Sequence, residues 1–68
     1  KITRAEMEVL TMLGRGKKYQ DIADHRFTSV ATARKQCETL LLKLGLETRE
    51  QLIAWAVQNG FGSVEMEN

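Results

Sequence analysis

Ser29-Val30-Ala31-Thr32-Ala33-Arg34-Lys35-Gln36-Cys37-Glu38-Thr39-Leu40-Leu41-Leu42-Lys43-Leu44-Gly45 is the stretch on which the fold turns. Val30, Ala33, Cys37, Leu40 and Leu44, with Leu41 alongside, recur in steps of three and four. That spacing places side chains on one face of an α-helix. Ser29 stands where a hydroxyl accepts from an orphan amide of the first turn. Gly45 stands where a left-handed residue closes a helix. The stretch therefore predicts one helix over 30–44. Ala31, Arg34, Lys35, Glu38 and Leu42 share its outward side.

Three further helices follow from the flanking sequence. Thr3 and Glu6 form a capping box, each side chain satisfying the other's backbone amide. Ile2 and Met7 stand at the positions of a hydrophobic staple, and Met7, Val9, Leu10 and Leu13 continue inward until Gly14 and Gly16 end a helix at about 4–14. A short helix at about 19–25 carries Ile22 and Ala23 inward, although Lys18 is a poor cap. Phe27 is expected in the core of the connection to the next helix. Thr48 and Gln51 form a second capping box, opening a helix over 49–59 that stops at Gly60. The fold class is all-α, a four-helix bundle, and the second and third helices make a central helix-turn-helix. The domain is expected over 1–61, with a frayed tail over 62–68.

At 68 residues the chain makes one small domain, a size that leaves no room for a deep cleft beside a core. It holds one cysteine and one histidine, too few for an intrachain disulfide or a structural zinc site. No apolar run approaches the roughly 20 residues that span a bilayer, and no signal peptide is expected. A reducing cytoplasmic setting fits. The first residue is lysine, which reads as a piece of a longer protein. No serine–histidine–acid arrangement, glycine-rich phosphate loop or pair of carboxylates on one face points to catalysis, so neither an enzyme nor a cofactor is expected. The formal net charge of +1 hides an asymmetry. Residues 1–45 carry +4 and residues 46–68 carry −3, Arg49 being the only base of the second part. A basic front suits an anionic partner, and it equally suits a solvated surface.

Single residues divide in the same way. Arg34 matches the N7 and O6 acceptors of guanine, a contact worth roughly 1–3 kcal/mol of base discrimination. Lys35 suits a base or a phosphate. Ser29, Thr32 and the amides at their helix start suit a phosphate, because a helix N-terminus is partially positive. The plain alternative is an exposed face with Glu38 paired to Arg34 one turn away. Cys37 reads as a small core residue, and His25 as a lone surface group. Leu52 and Ala56 read as core, while Ala54 and Trp55 divide between core and dimer interface.

These residues together resemble a known family. Ile2-Thr3 through Glu8-Val9-Leu10, Gly16, Asp21-Ile22-Ala23-Asp24, Ser29 through Arg34, Leu40 through Gly45 and Thr48 through Gly60 are similar, without gaps, to the ordered motifs of LuxR/FixJ/GerE-type DNA-binding domains. The resemblance implies the C-terminal output domain of a bacterial transcription regulator, a response regulator in many members, bound to double-stranded DNA with 30–44 as recognition helix. It implies base contacts from Arg34 and Lys35. It implies backbone contacts from Lys18, Tyr19, Thr32 and Lys43, to which Lys17 and Ser29 add by position. The closing helix implies a homodimer on an inverted repeat, with Ala54 and Trp55 at the interface, and RNA polymerase is a further partner of such regulators. Four places depart from the family's pattern: Glu38 and Leu42 where basic or amide residues are common, Gln36 in place of a frequent histidine, and Lys17-Lys18 in place of Leu-Ser. They keep open a protein-interaction module with weak DNA contact. A sigma-factor promoter-recognition domain shares the central motif but not the helix after Gly45.

Overall fold

The computed structural model describes residues 1–62, and among them are four helices and no strand. Each helix opens on a bond between residues three apart. For α1 (Arg4–Gly14) the Glu6 amide donates to Thr3 Oγ1 at 3.1 Å, and the Thr3 amide donates to Glu6 Oε1 at 2.9 Å. For α2 (Tyr19–Arg26) the Lys18 amide donates to Asp21 Oδ2 at 3.1 Å, half a box, because lysine has no oxygen to complete it. Ser29 Oγ accepts from the Thr32 amide at 3.1 Å to start α3 (Val30–Leu44). Thr48 and Gln51 close a full box on α4 (Arg49–Gln58), at 3.1 and 3.2 Å.

The helix ends are equally regular. The amides of Lys17, Thr28, Leu46 and Phe61 reach back to the carbonyls of Met12, Ala23, Leu41 and Ala56 at 2.8–3.0 Å. Each such bond needs a left-handed residue just before it. Gly16, Gly45 and Gly60 supply it in three cases, and Phe27 in the fourth, at φ +56°. That conformation corrects the expectation for Phe27. Serving as the turn residue, it projects away from the bundle and is 95% exposed. A second correction concerns α1, where Met7 is 44% exposed and Glu6 is buried instead. The carboxylate of Glu6 is drawn inward by its partners, the Thr3 amide and the Lys43 ammonium. Boundaries shift by one residue: α2 runs on to Arg26, and α4 stops at Gln58.

α1 packs chiefly against α4, and α2 against α3, while α3 also touches α1 and α4. Their shared core is Val9, Leu10 and Leu13, Ile22 and Ala23, Ala33, Cys37 and Leu40, Leu52 and Ala56. Truncating one of these leucines costs about 2–5 kcal/mol, which approaches the whole stability available to a domain this small. Val30, Leu41 and Leu44, expected on the buried face of α3, are half-buried at its margin. The α1–α4 seam is closed by backbone. Were Gly14 to carry a Cβ, it would lie 2.5 Å from the Phe61 carbonyl oxygen. Of the tail expected over 62–68, Gly62 lies in a turn against Gly14, and residues 63–68 lie outside the described residues. No helix among the described residues is long and apolar enough to cross a membrane.

Candidate nucleic-acid interface

Burial of Ala33, Cys37 and Leu40 fixes which side of α3 faces outward. Ala31, Thr32, Arg34, Lys35, Glu38, Leu42 and Lys43 are the exposed set, Leu42 at 84%. The first turn is therefore small and polar, the second carries two adjacent cations, and acid and apolar groups follow only further along. Ser29 Oγ lies 3.0 Å from Thr32 Oγ1, so two hydroxyls sit at the helix start beside its free amides. A partial positive charge gathers there.

Tyr19, the first residue of α2, brings the next cations into place. The Arg34 guanidinium carbon lies 5.3 Å from the Tyr19 ring centroid, and that of Arg49 lies 5.2 Å from it. Both are within the reach of a cation–π attraction. Arg49 also donates from Nη2 to the Lys17 carbonyl at 3.0 Å, tying the start of α4 to the turn before α2. Lys17 and Lys18 are exposed in that turn. The structure thus brings Arg34 and Arg49 to the Tyr19 ring, with the Lys17 backbone tied to them through Arg49. Sequence reasoning placed Lys17, Tyr19 and Arg34 and missed Arg49. Its signal was present, as the lone base in an acidic half at the first position of a capped helix.

Lys43 stands apart from this group. Its ammonium donates to Glu6 Oε1 at 2.7 Å and to the Lys1 carbonyl at 2.9 Å, so the charge joins α3 to the cap of α1. The pair has an electrostatic consequence: the bonded Lys43 ammonium, followed by the Thr3 amide, holds the Glu6 carboxyl below the usual carboxylate range. Burial pushes the Cys37 thiol up, favouring its protonated form. On α4, Ala54 is exposed, whereas Trp55 is half-buried and stacked on Phe61 at 6.0 Å and 21°. Trp55 is thus occupied within the fold and only its rim is free.

An open hollow of about 440 Å³ between α1 and α2 is lined by His25, three acids, Arg15 and Lys17, with Thr11 and Met12. The acids are engaged: Glu8 pairs with Arg26, Asp21 accepts from the Lys18 amide, and Asp24 accepts from Gln20 at 2.9 Å. Among the described residues no cluster of three or more acid, histidine or cysteine side chains is placed to hold a metal ion.

Residues 1–56 match the family profile of bacterial regulatory proteins, luxR family. Over 58 residues the chain is 33% identical to the uncharacterized transcriptional regulatory protein YxjL of Bacillus subtilis (strain 168), covering 85% of this chain and 27% of that protein. The chain therefore spans about a quarter of the relative's length. Four capped helices with α2 and α3 as a helix-turn-helix, a basic face at the start of α3 and a profile match over most of the chain lead to one conclusion: the chain belongs to the luxR family of DNA-binding bacterial transcription regulators.

Proposed function

We propose that the chain binds double-stranded DNA in a sequence-specific manner, with α3 in the major groove, as the output domain of a longer transcription regulator. The observation that carries this reading is the pair Arg34 and Lys35, exposed side by side on the second turn of α3. A helix-turn-helix presents the N-terminal half of its second helix to base edges. Arg34 takes the N7 and O6 of a guanine, and Lys35 a neighbouring base or phosphate. Lys17, Lys18, Tyr19, Ser29 and Thr32 meet the backbone on either side, and Arg49 joins them. Lys43, engaged by Glu6, braces the fold and is left out of the contact set. Dimerisation on an inverted repeat uses Ala54 together with Val57, three residues on and 54% exposed, which extends the strip beyond the half-buried Trp55.

Selection of bound duplexes from a random pool, followed by gel-shift titration of Arg34→Ala/Lys35→Ala, tests the reading. Specific binding should disappear while helicity stays. Unchanged affinity sinks the assignment. Affinity should also fall steeply with salt, as phosphate contacts demand. The outcome expected of the selection is an enriched inverted repeat. The exposure of Leu42 and Phe27 favours a second reading, a surface for a protein such as RNA polymerase. Selection without any enriched sequence would support it.

A further inference from the structure

We infer that Tyr19 is a positioning residue for Arg34: its ring holds the guanidinium in a set orientation at the mouth of the groove and shares that hold with Arg49 of α4. The inference rests on the groove-reading role proposed for Arg34. An exposed arginine has several freely rotating bonds, and ordering them opposes formation of a bidentate contact. A fixed aromatic face removes part of that loss before DNA arrives. The Tyr19 ring is such a face, being half-buried at the first position of α2 and packed against the core. Arg34 lies 5.3 Å from its centroid and is otherwise exposed, with no hydrogen bond or ion pair to another side chain among the described residues.

Arg49 makes the arrangement asymmetric. It lies 5.2 Å from the same centroid, but it is half-buried and held by the Lys17 carbonyl at 3.0 Å. Of two cations on one ring, Arg49 is anchored by a hydrogen bond and Arg34 is held by the ring alone. Their mutual repulsion disfavours a collapsed Arg34 lying flat on α4, and the ring holds it near without burying it. The acceptors that complete the site are those of a guanine edge, which meets the outer N–H groups of Arg34 while the guanidinium stays beside the Tyr19 ring. At an exposed site this kind of contact corresponds to roughly a two- to fivefold effect on an equilibrium. The expected magnitude of the positioning is therefore modest, and it falls on discrimination between sequences.

Tyr19→Phe and Tyr19→Leu separate this role from a plain phosphate contact. Two quantities are read on the 68-residue chain. One is the ratio of affinities for the duplex enriched from the random pool and for a scrambled duplex of equal length. The other is the NMR shift of the Arg34 Nε proton in the free protein, which reports the ring above it. Tyr19→Phe keeps the ring and should keep both, whatever the lost hydroxyl costs on the two duplexes alike. Tyr19→Leu should lower the ratio about two- to fivefold and move the Arg34 signal to its solvent-exposed position, with far-UV circular dichroism showing the helices intact. A Tyr19→Leu chain with the parent's ratio or the parent's shift overturns the inference, and so does a Tyr19→Phe chain that loses as much as Tyr19→Leu. Arg34→Ala is measured alongside and should lower the ratio further than Tyr19→Leu does. An unaltered ratio there refutes the groove-reading role itself, whereas loss in Arg34→Ala with none in Tyr19→Leu refutes the positioning role alone.

Discussion

Replacing Gly14 with alanine sets two effects of opposite sign against each other. Near a helix end alanine is favoured over glycine by up to about 1 kcal/mol. Against this, the new methyl would stand 2.5 Å from the Phe61 carbonyl oxygen, 3.1 Å from its carbonyl carbon and 3.3 Å from Gly62 Cα. All three are backbone atoms, so no side chain can rotate out of the way. The turn at residues 59–62 must lift from α1, loosening the Phe61 amide bond to the Ala56 carbonyl and the Trp55–Phe61 stack. Overpacking of this kind costs about 1–3 kcal/mol, and the stack alone is worth roughly 0.5–1.5 kcal/mol. The clash wins, leaving a net loss of about 1–2 kcal/mol. In a domain this size each kcal/mol moves the melting point by about 4–8 °C, so Tm should fall roughly 5–15 °C. Thermal melts followed by circular dichroism and by Trp55 fluorescence measure it. A chain ending at residue 60 removes the clashing atoms, and there Gly14→Ala should be neutral or stabilising. A Gly14→Ala melting point at or above the parent's in the full chain would show that the 59–62 turn gives way without cost.

Other outcomes follow from the caps and the core. Phe27→Gly should stabilise by roughly 0.5–1 kcal/mol, because it relieves a left-handed side chain at some cost in unfolded-state entropy; a lower melting point would show that the exposed ring does pack. Glu6→Gln should cost about 1 kcal/mol at neutral pH by weakening the α1 cap and the Lys43 pair. Since folding lowers the Glu6 pKa, its contribution is complete above the unfolded value and vanishes as pH falls through the folded one. Urea midpoints of parent and Glu6→Gln should therefore converge in acid, and a constant gap down to pH about 3 would contradict the pairing. Cys37 should react with a thiol reagent roughly 10²–10³ times more slowly in the native chain than in urea, given the few kcal/mol such cores supply; equal rates would place the thiol outside the core.

Most of the fold was legible because it is encoded within single turns. Thr3 with Glu6, Ser29 with Thr32, and Thr48 with Gln51 announce their helices without reference to anything distant. The misreadings arise where hydrophobicity is weighed ahead of helix geometry. Glu6, three and four residues before Val9 and Leu10, shares their buried face and is met there by Lys43, while Met7 falls one position off that face. Hydrophobicity points Phe27 to the core, yet the α2 terminus needs a left-handed residue and takes it. In the candidate interface the outward face of α3 followed from periodicity, and Lys35 and Arg34 emerge exposed as that face required. The Tyr19 ring and its two arginines join three helices, and no local pattern states such a meeting.

The caps also bear on the order in which the domain assembles. A helix whose first turn is closed by its own neighbours needs little help to nucleate. α2 and α3 are joined by three residues, so their docking closes a very short loop. Folding dominated by such local steps is fast, on the scale of microseconds to milliseconds. The α1–α4 seam joins segments from opposite ends of the described chain, and closure of so long a loop is expected to follow the local steps. Damage to that seam will consequently appear as faster unfolding, with the refolding rate nearly unchanged.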